Sequence, residues 1–183
     1  VGLIAFCGMR AGFTFEVDCT TPFHTKNRRK TMLRISFSDY ESLRAHGEQT
    51  YPHECCGVLL GKNEGTTNVV HQIVQAGNTR TDSAHNRYNI APVELIRIQR
   101  QARALQLDIV GFYHSHPDHP AQWSKTDIAE AHWLGCSYLI TSVAKGKSED
   151  SNSFLLQGTS EEDKRFEDEP IEILMAEAVA TQL

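Results

Sequence analysis

Apolar and polar positions alternate along this chain in short stretches, and the spacing changes repeatedly from that of a strand to that of a helix. LRISF (33–37) reads as a short strand. Ser38 and Glu41 have the S-x-x-E form of a capping box, so a helix is expected to start there and to break near Gly47. CCGVLLG (55–61) and NVVHQIV (68–74) read as strands joined by a turn at Asn63, Glu64 and Gly65. Pro92 suits the first turn of a helix whose apolar residues Leu95, Ile98, Ala102 and Leu105 keep 3–4 spacing. DIVGFYHSH (108–116) has strand character, and SKTDIAEAHWLG begins a helix that Gly135 can end. Strands YLITSV (138–143) and SFLLQ (153–157) follow, then the segment IEILM near the end. Strands and helices interleave, which predicts an α/β or α+β sandwich around one core.

Residues 1–31 differ from the rest. They are rich in Thr and Phe, keep neither period for long and end in the basic run KNRRK. They are expected to be a flexible extension, or translation from a start codon upstream of the true one, with the domain occupying 32–183. The alternative is an extra strand pair packed on that domain.

Composition narrows the function classes. At 183 residues the chain can bury one sizeable core. The formal charge of −5 is uneven: five basic and two acidic side chains give residues 1–31 a charge of +3, which leaves −8 for the remainder. An acidic body would repel nucleic-acid phosphates, so no nucleic-acid partner is expected. The longest apolar runs, such as CCGVLL, fall far short of the ~20 residues needed to span a bilayer, so no membrane partner is expected either. Five cysteines (Cys7, Cys19, Cys55, Cys56 and Cys136) make an odd count without a C-x-x-C pair, which fits a reducing, cytoplasmic setting. The start, VGLIAFCGMRAG, is apolar but lacks the basic region and cleavage site of a signal peptide.

The chemistry concentrates in HSHPDHPAQWSKTD (114–127), where three histidines fall within six residues. His114 and His116 lie two apart on a predicted strand, so both imidazoles leave from one face and can chelate one ion. Asp127, eleven residues beyond His116, falls in the first turn of the next predicted helix. Two histidines and a carboxylate leave one tetrahedral position open, the pattern of a catalytic zinc. Ser124 and Asp127 also form an S-x-x-D capping pattern that needs no metal, and one serine can serve both roles.

Three other metal readings fail on this sequence. HSHPDH fits the H-x-H-x-D-H string of the metallo-β-lactamases, but those need further histidines downstream, and after His119 only His132 remains. Asp118 and His119 are then loop residues, with Pro117 and Pro120 stiffening the turn. His53 and Glu54 resemble the start of H-E-x-x-H, but position 57 is Gly. The cysteines are wrongly placed for a nucleoside deaminase. Glu54, at the head of a mostly apolar strand, is either an exposed strand-end residue or a proton-handling group.

Glu54 at the head of a strand, followed by H-S-H-P, six residues and S-x-x-D, resembles the JAMM (MPN+) metalloprotease family. The resemblance runs from about Ser36 to Leu156 and includes YPHECCGVLLG, YNIAPVELIRIQRQAR and GFYHSHPDHPAQWSKTDIAEA. It is closest to the compact bacterial members, which are similar to peptidases acting on small sulfur-carrier proteins of ubiquitin-like fold. It implies a single MPN/JAMM domain, a mixed β-sheet sandwiched by helices and cytidine-deaminase-like in architecture. It also implies hydrolysis of an amide bond at the C-terminal tail of the carrier. His114, His116 and Asp127 would hold one Zn²⁺ per chain, with zinc-bound water as nucleophile. Glu54 would transfer the proton, and the Ser124 hydroxyl would stabilise the oxyanion. Ser115 and Pro117 would shape the loop, and Cys55 and Cys56 would be core residues. Trp123 departs from the family, whose close members often carry Pro before the serine; the change touches loop shape and no ligand. The alternatives are a catalytically silent MPN scaffold module, which usually lacks one of these residues, and a general deubiquitinase-like isopeptidase, for whose insertions this chain has little room.

Overall fold

The computed structural model describes residues 31–79 and 88–175. The expected extension over 1–31 lies outside these residues apart from Thr31. Eight strands form one mixed sheet: β1 (Met32–Ser36), β2 (Cys56–Glu64), β3 (Thr67–Ala76), β4 (Asp108–Pro117), β5 (Ser137–Ala144), β6 (Lys147–Gln157), β7 (Arg165–Glu169) and β8 (Ile171–Leu174). Their order is β7-β6-β5-β4-β2-β3-β1-β8. β1 pairs in parallel with β3 and β8, and β4 pairs in parallel with β5; the other neighbours are antiparallel.

Helices cover both faces, as the interleaved pattern predicts. Leu43 of α1 (Phe37–Thr50) packs with Leu33, Ile35, Leu59, Val110 and Tyr113. Ile98 and Ala102 of α2 (Pro92–Ala104) pack on the opposite face with Cys56, Val58, Leu60 and Phe112. The short α3 (Lys125–Glu130) sends Ile128 to that same cluster.

Several local expectations are corrected. The cap of α1 is Ser36, whose Oγ accepts the Asp39 N–H at 3.1 Å, and Ser38 lies inside the helix. Gly47 does not break α1. A Cβ there would meet Val143 Cγ2 at 3.0 Å and Ser115 Cβ at 3.2 Å, so the glycine lets the helix lie against β4 and β5. The roughly 1 kcal/mol that glycine costs in a helix is offset by that packing. Leu105 is half exposed, because α2 has already ended and Gln106 turns the chain with φ 57°. Residues 131–134 are not helical. α3 stops at Glu130, where Lys164 Nζ donates to the Ala129 and Ala131 carbonyls at 3.0 and 2.8 Å and satisfies the helix end. β6 extends back through the polar stretch 147–152, because Lys145 and Gly146, both with positive φ, make a two-residue hairpin turn.

Candidate metal centre

β4 carries two of the site residues, and a bulge decides which way they face. Leu59 is opposite Gly111 while Leu60 is opposite Ile109, so Val110 is the extra residue and turns toward α1. Beyond the bulge, alternation resumes. Phe112 joins the α2-side core, Tyr113 joins the α1 side, and His114 and His116 leave from the α2 side. Of the intervening residues, Tyr113 meets His46 Nδ1 through its hydroxyl at 3.0 Å, and Ser115 Oγ accepts the Cys55 N–H at 2.9 Å.

The ring atoms converge. His114 Nε2 and His116 Nε2 are 3.0 Å apart, and Asp127 Oδ1 and Oδ2 lie 3.4 and 3.6 Å from them respectively. Among the described residues, these three side chains form a group able to hold a metal ion, with their donor atoms all within 4.8 Å of one another. A tetrahedral ion with bonds of about 2.0–2.1 Å needs donors about 3.3 Å apart, so the observed separations fit. His116 Nδ1 faces the Pro120 carbonyl at 3.0 Å, which directs its Nε2 inward.

Asp127 is placed by the start of α3. Its N–H donates to Ser124 Oγ at 3.2 Å, and its Oδ2 accepts the Ser124 N–H at 2.6 Å. The capping and ligand-like placements therefore coexist. The hydroxyl of Ser124 accepts through a lone pair in the cap, so it keeps the capacity to donate.

Electrostatics suits a cation. Burial pushes His114 down, toward the neutral form whose lone pair can bind a metal. Burial also lowers His116, but hydrogen bonding to Asp127 and Pro120, with the charges of Asp127 and Glu54, raises it overall. Burial alone would raise Asp127; contacts with both imidazoles and with Ser124 outweigh this and hold it well below the usual carboxylate range.

Glu54 is buried, at 4% exposure, just before β2. It lines a cavity of about 340 Å³ shared with His116, His119, Pro120, Gln122, Ser124 and Thr126. Its Oε2 has no hydrogen-bond partner. Desolvation raises its pKa to about 8, so it is not the exposed strand-end residue that one reading of the sequence allowed. The structure thus brings all five sequence-selected residues to one place.

Of the other selected residues, His119 and Pro120 line the same cavity, and four more lie apart from the centre. Asp118 turns away: its Oδ1 accepts the Lys145 N–H and its Oδ2 the Tyr51 hydroxyl, each at 2.9 Å. Trp123 packs near Phe166, with ring centroids 5.8 Å apart. Cys55 and Cys56 are buried free thiols whose pKa values burial pushes up, to about 11 for Cys55. Two neighbours of the centre were given no role at the site by the sequence. One is the Pro120 carbonyl, a backbone group; the other is Tyr88, whose ring stacks on His114.

Residues 38–157 match the family described as "Prokaryotic homologs of the JAB domain". The chain belongs to this family. The resemblance to JAMM proteins drawn from Glu54, HSHP and S-x-x-D is thereby borne out at the level of family. Among relatives of the JAB chain, it is 37% identical over 93 residues to "Desampylase" of Haloferax volcanii, covering 50% of this chain and 63% of that protein. It is 31% identical over 93 residues to "Probable TtuB-protein conjugate cleaving protease" of Thermus thermophilus, covering 51% of this chain and 59% of that one. The matched region thus spans less than two thirds of the length of either relative. Solution structures of proteins from Desulfitobacterium hafniense and Salinibacter ruber are similar in fold. The first has a TM-score of 0.64 at 27% identity and covers 79% of this chain and 92% of that one. The second has a TM-score of 0.57 at 34% identity and covers 75% and 90%. Among the described residues, no helix is long and apolar enough to cross a membrane.

Proposed function

We propose that this JAB protein is a zinc peptidase or isopeptidase that hydrolyses an amide bond at the C-terminal tail of a small ubiquitin-like protein of the sulfur-carrier type. The observation that carries this reading is the convergence of His114, His116 and Asp127 beside a cavity that also holds the buried carboxyl of Glu54. The names of the two relatives, a desampylase and a conjugate-cleaving protease, support the substrate class. A silent scaffold has no need for a complete donor set with a buried carboxyl next to it.

His114, His116 and Asp127 would hold the ion. Zinc bound there supplies Lewis-acid charge and brings the pKa of a water to about 7. Glu54 takes the proton from the attacking water and passes one to the leaving amine, a role that suits a buried carboxyl on the wall of the same cavity. Ser124 donates a hydrogen bond from its hydroxyl to the oxyanion of the tetrahedral intermediate. The capping box holds Ser124 and Asp127 in fixed relation, so oxyanion donor and metal ligand share one support.

A direct test uses purified protein and a ubiquitin-like carrier ending in Gly-Gly, amide-linked to an amine, with release followed by mass spectrometry. The zinc-loaded protein should cleave at the tail, a chelator should stop it, and metal analysis should find one zinc per chain that His116→Ala loses. Two zinc ions per chain would revive a binuclear site. Zinc-loaded protein inert on every such conjugate would leave the silent scaffold as the reading.

A further inference from the structure

The two imidazoles of the proposed centre are held in different ways. His116 Nδ1 is fixed by the Pro120 carbonyl at 3.0 Å. His114 Nδ1 is buried and has no hydrogen-bond partner. A ligating histidine almost always gives its second ring nitrogen to an acceptor, which sets the ring plane; His114 lacks that anchor. Tyr88 takes the place of one: its ring stacks on that of His114 with centroids 4.6 Å apart and 28° between planes. Stacked rings favour near-parallel planes, so the contact acts directly on the plane of the imidazole.

Tyr88 is itself firmly placed. It packs against the α2-side core. The adjoining segment forms a bridge between Asn78 and Ile90, and Thr79 N–H and Oγ1 both donate to the Asn89 carbonyl, at 3.0 and 2.9 Å. Asn78 Nδ2 donates to the Glu54 carbonyl at 3.3 Å, so the segment that carries Tyr88 is also tied to the residue proposed to move the proton.

We infer that Tyr88 is a positioning residue for the metal centre: its stacked ring, in place of a hydrogen bond to Nδ1, fixes the plane in which His114 presents Nε2. This rests on the zinc reading above and adds a residue that the ligand motif does not contain. The geometry makes the ring face the active feature and gives the phenol hydroxyl no part in it.

The test is a competition titration of zinc against a chromophoric chelator, with the melting temperature of each metal-free protein measured alongside. Tyr88→Phe should bind zinc within about twofold of the parent. Tyr88→Leu and Tyr88→Met fill the space without a ring face and should bind at least ~10-fold more weakly, at the lower end of the range for losing a ligand's support. Either variant that folds without metal decides the matter. Zinc binding as tight as the parent's in a folded Leu or Met variant overturns the inference, as does a Phe variant weakened to the same degree as Leu. If neither Leu nor Met folds without metal, Tyr88 is a core residue and the inference also falls. A parent that binds no zinc overturns the zinc reading itself, whereas a zinc-binding parent with indifferent variants removes only the role of Tyr88.

Discussion

Ser124 and Asp127 hold each other by two reciprocal hydrogen bonds: Asp127 N–H to Ser124 Oγ at 3.2 Å and Ser124 N–H to Asp127 Oδ2 at 2.6 Å. The same carboxylate reaches His114 Nε2 through Oδ1 at 3.4 Å. One short helix start therefore orients a proposed ligand and a proposed oxyanion donor together.

That coupling makes Ser124→Ala informative. Losing the capping hydroxyl should cost about 1 kcal/mol of stability. The proposed oxyanion contact should cost far more in rate, with kcat falling ~10²–10³. Zinc occupancy should stay near that of the parent, because the Ser124 backbone N–H still holds Asp127. Steady-state kinetics, a denaturant melt and metal analysis on one preparation read all three; an unchanged kcat would reduce Ser124 to a cap.

Glu54→Gln separates proton transfer from ligation. The amide keeps the size of the side chain but cannot accept a proton, so kcat should fall by at least the ~10²–10⁴ typical of general acid–base catalysis. Zinc content and carrier affinity should change little, giving a protein with zinc bound, substrate bound and no turnover. Loss of zinc from this variant would make Glu54 a ligand and reopen the assignment of Asp127.

The same residue sets a pH dependence in the metal-free protein. Its folded pKa of about 8 lies above the ordinary 4.5, so between those values the folded state keeps a proton that the unfolded chain has released. Stability from this group is fully present below about pH 4.5 and declines as pH rises toward 8, by at most about 1.4 kcal/mol per pH unit. Glu54→Gln removes the titration. Denaturant melts without metal should therefore show the variant gaining on the parent as pH rises from 5 to 8, with no further gain above. A constant difference across that range would mean that Glu54 is solvated in solution.

The proposed domain start at Met32 is tested by two truncations. β1 supplies Leu33 and Ile35, both wholly buried, and pairs with β3 and β8. A chain beginning at Met32 should fold and keep activity. One beginning at Phe37 should be unfolded, since burial of those two side chains is worth roughly 1.5–3 kcal/mol each, apart from the lost strand pairing. Circular dichroism and a thermal melt distinguish the two; loss of several kcal/mol in the longer chain would show that residues 1–31 pack on the domain.

Much of the site was legible in the sequence because its logic is local. Period-two alternation puts His114 and His116 on one face, and S-x-x-D sets Ser124 and Asp127 a helical turn apart. An acidic residue before the apolar run at 55–61 marked Glu54, and Pro92 opened α2 where a proline fits best. Other features depend on contacts between residues far apart in the chain. Gly47 stays helical because β4 and β5 come within reach of its Cα, and α3 ends where the ammonium of Lys164 meets its carbonyls. The bulge at Val110 leaves the histidines facing α2, and the burial that raises the Glu54 pKa exists only once the sheet and its helices have closed around it. The sequence by itself determined which donors could meet, through backbone periodicity and capping. Only the tertiary structure decided which way they face, how dry they are and what holds them, because packing and desolvation are set by residues that periodicity does not connect.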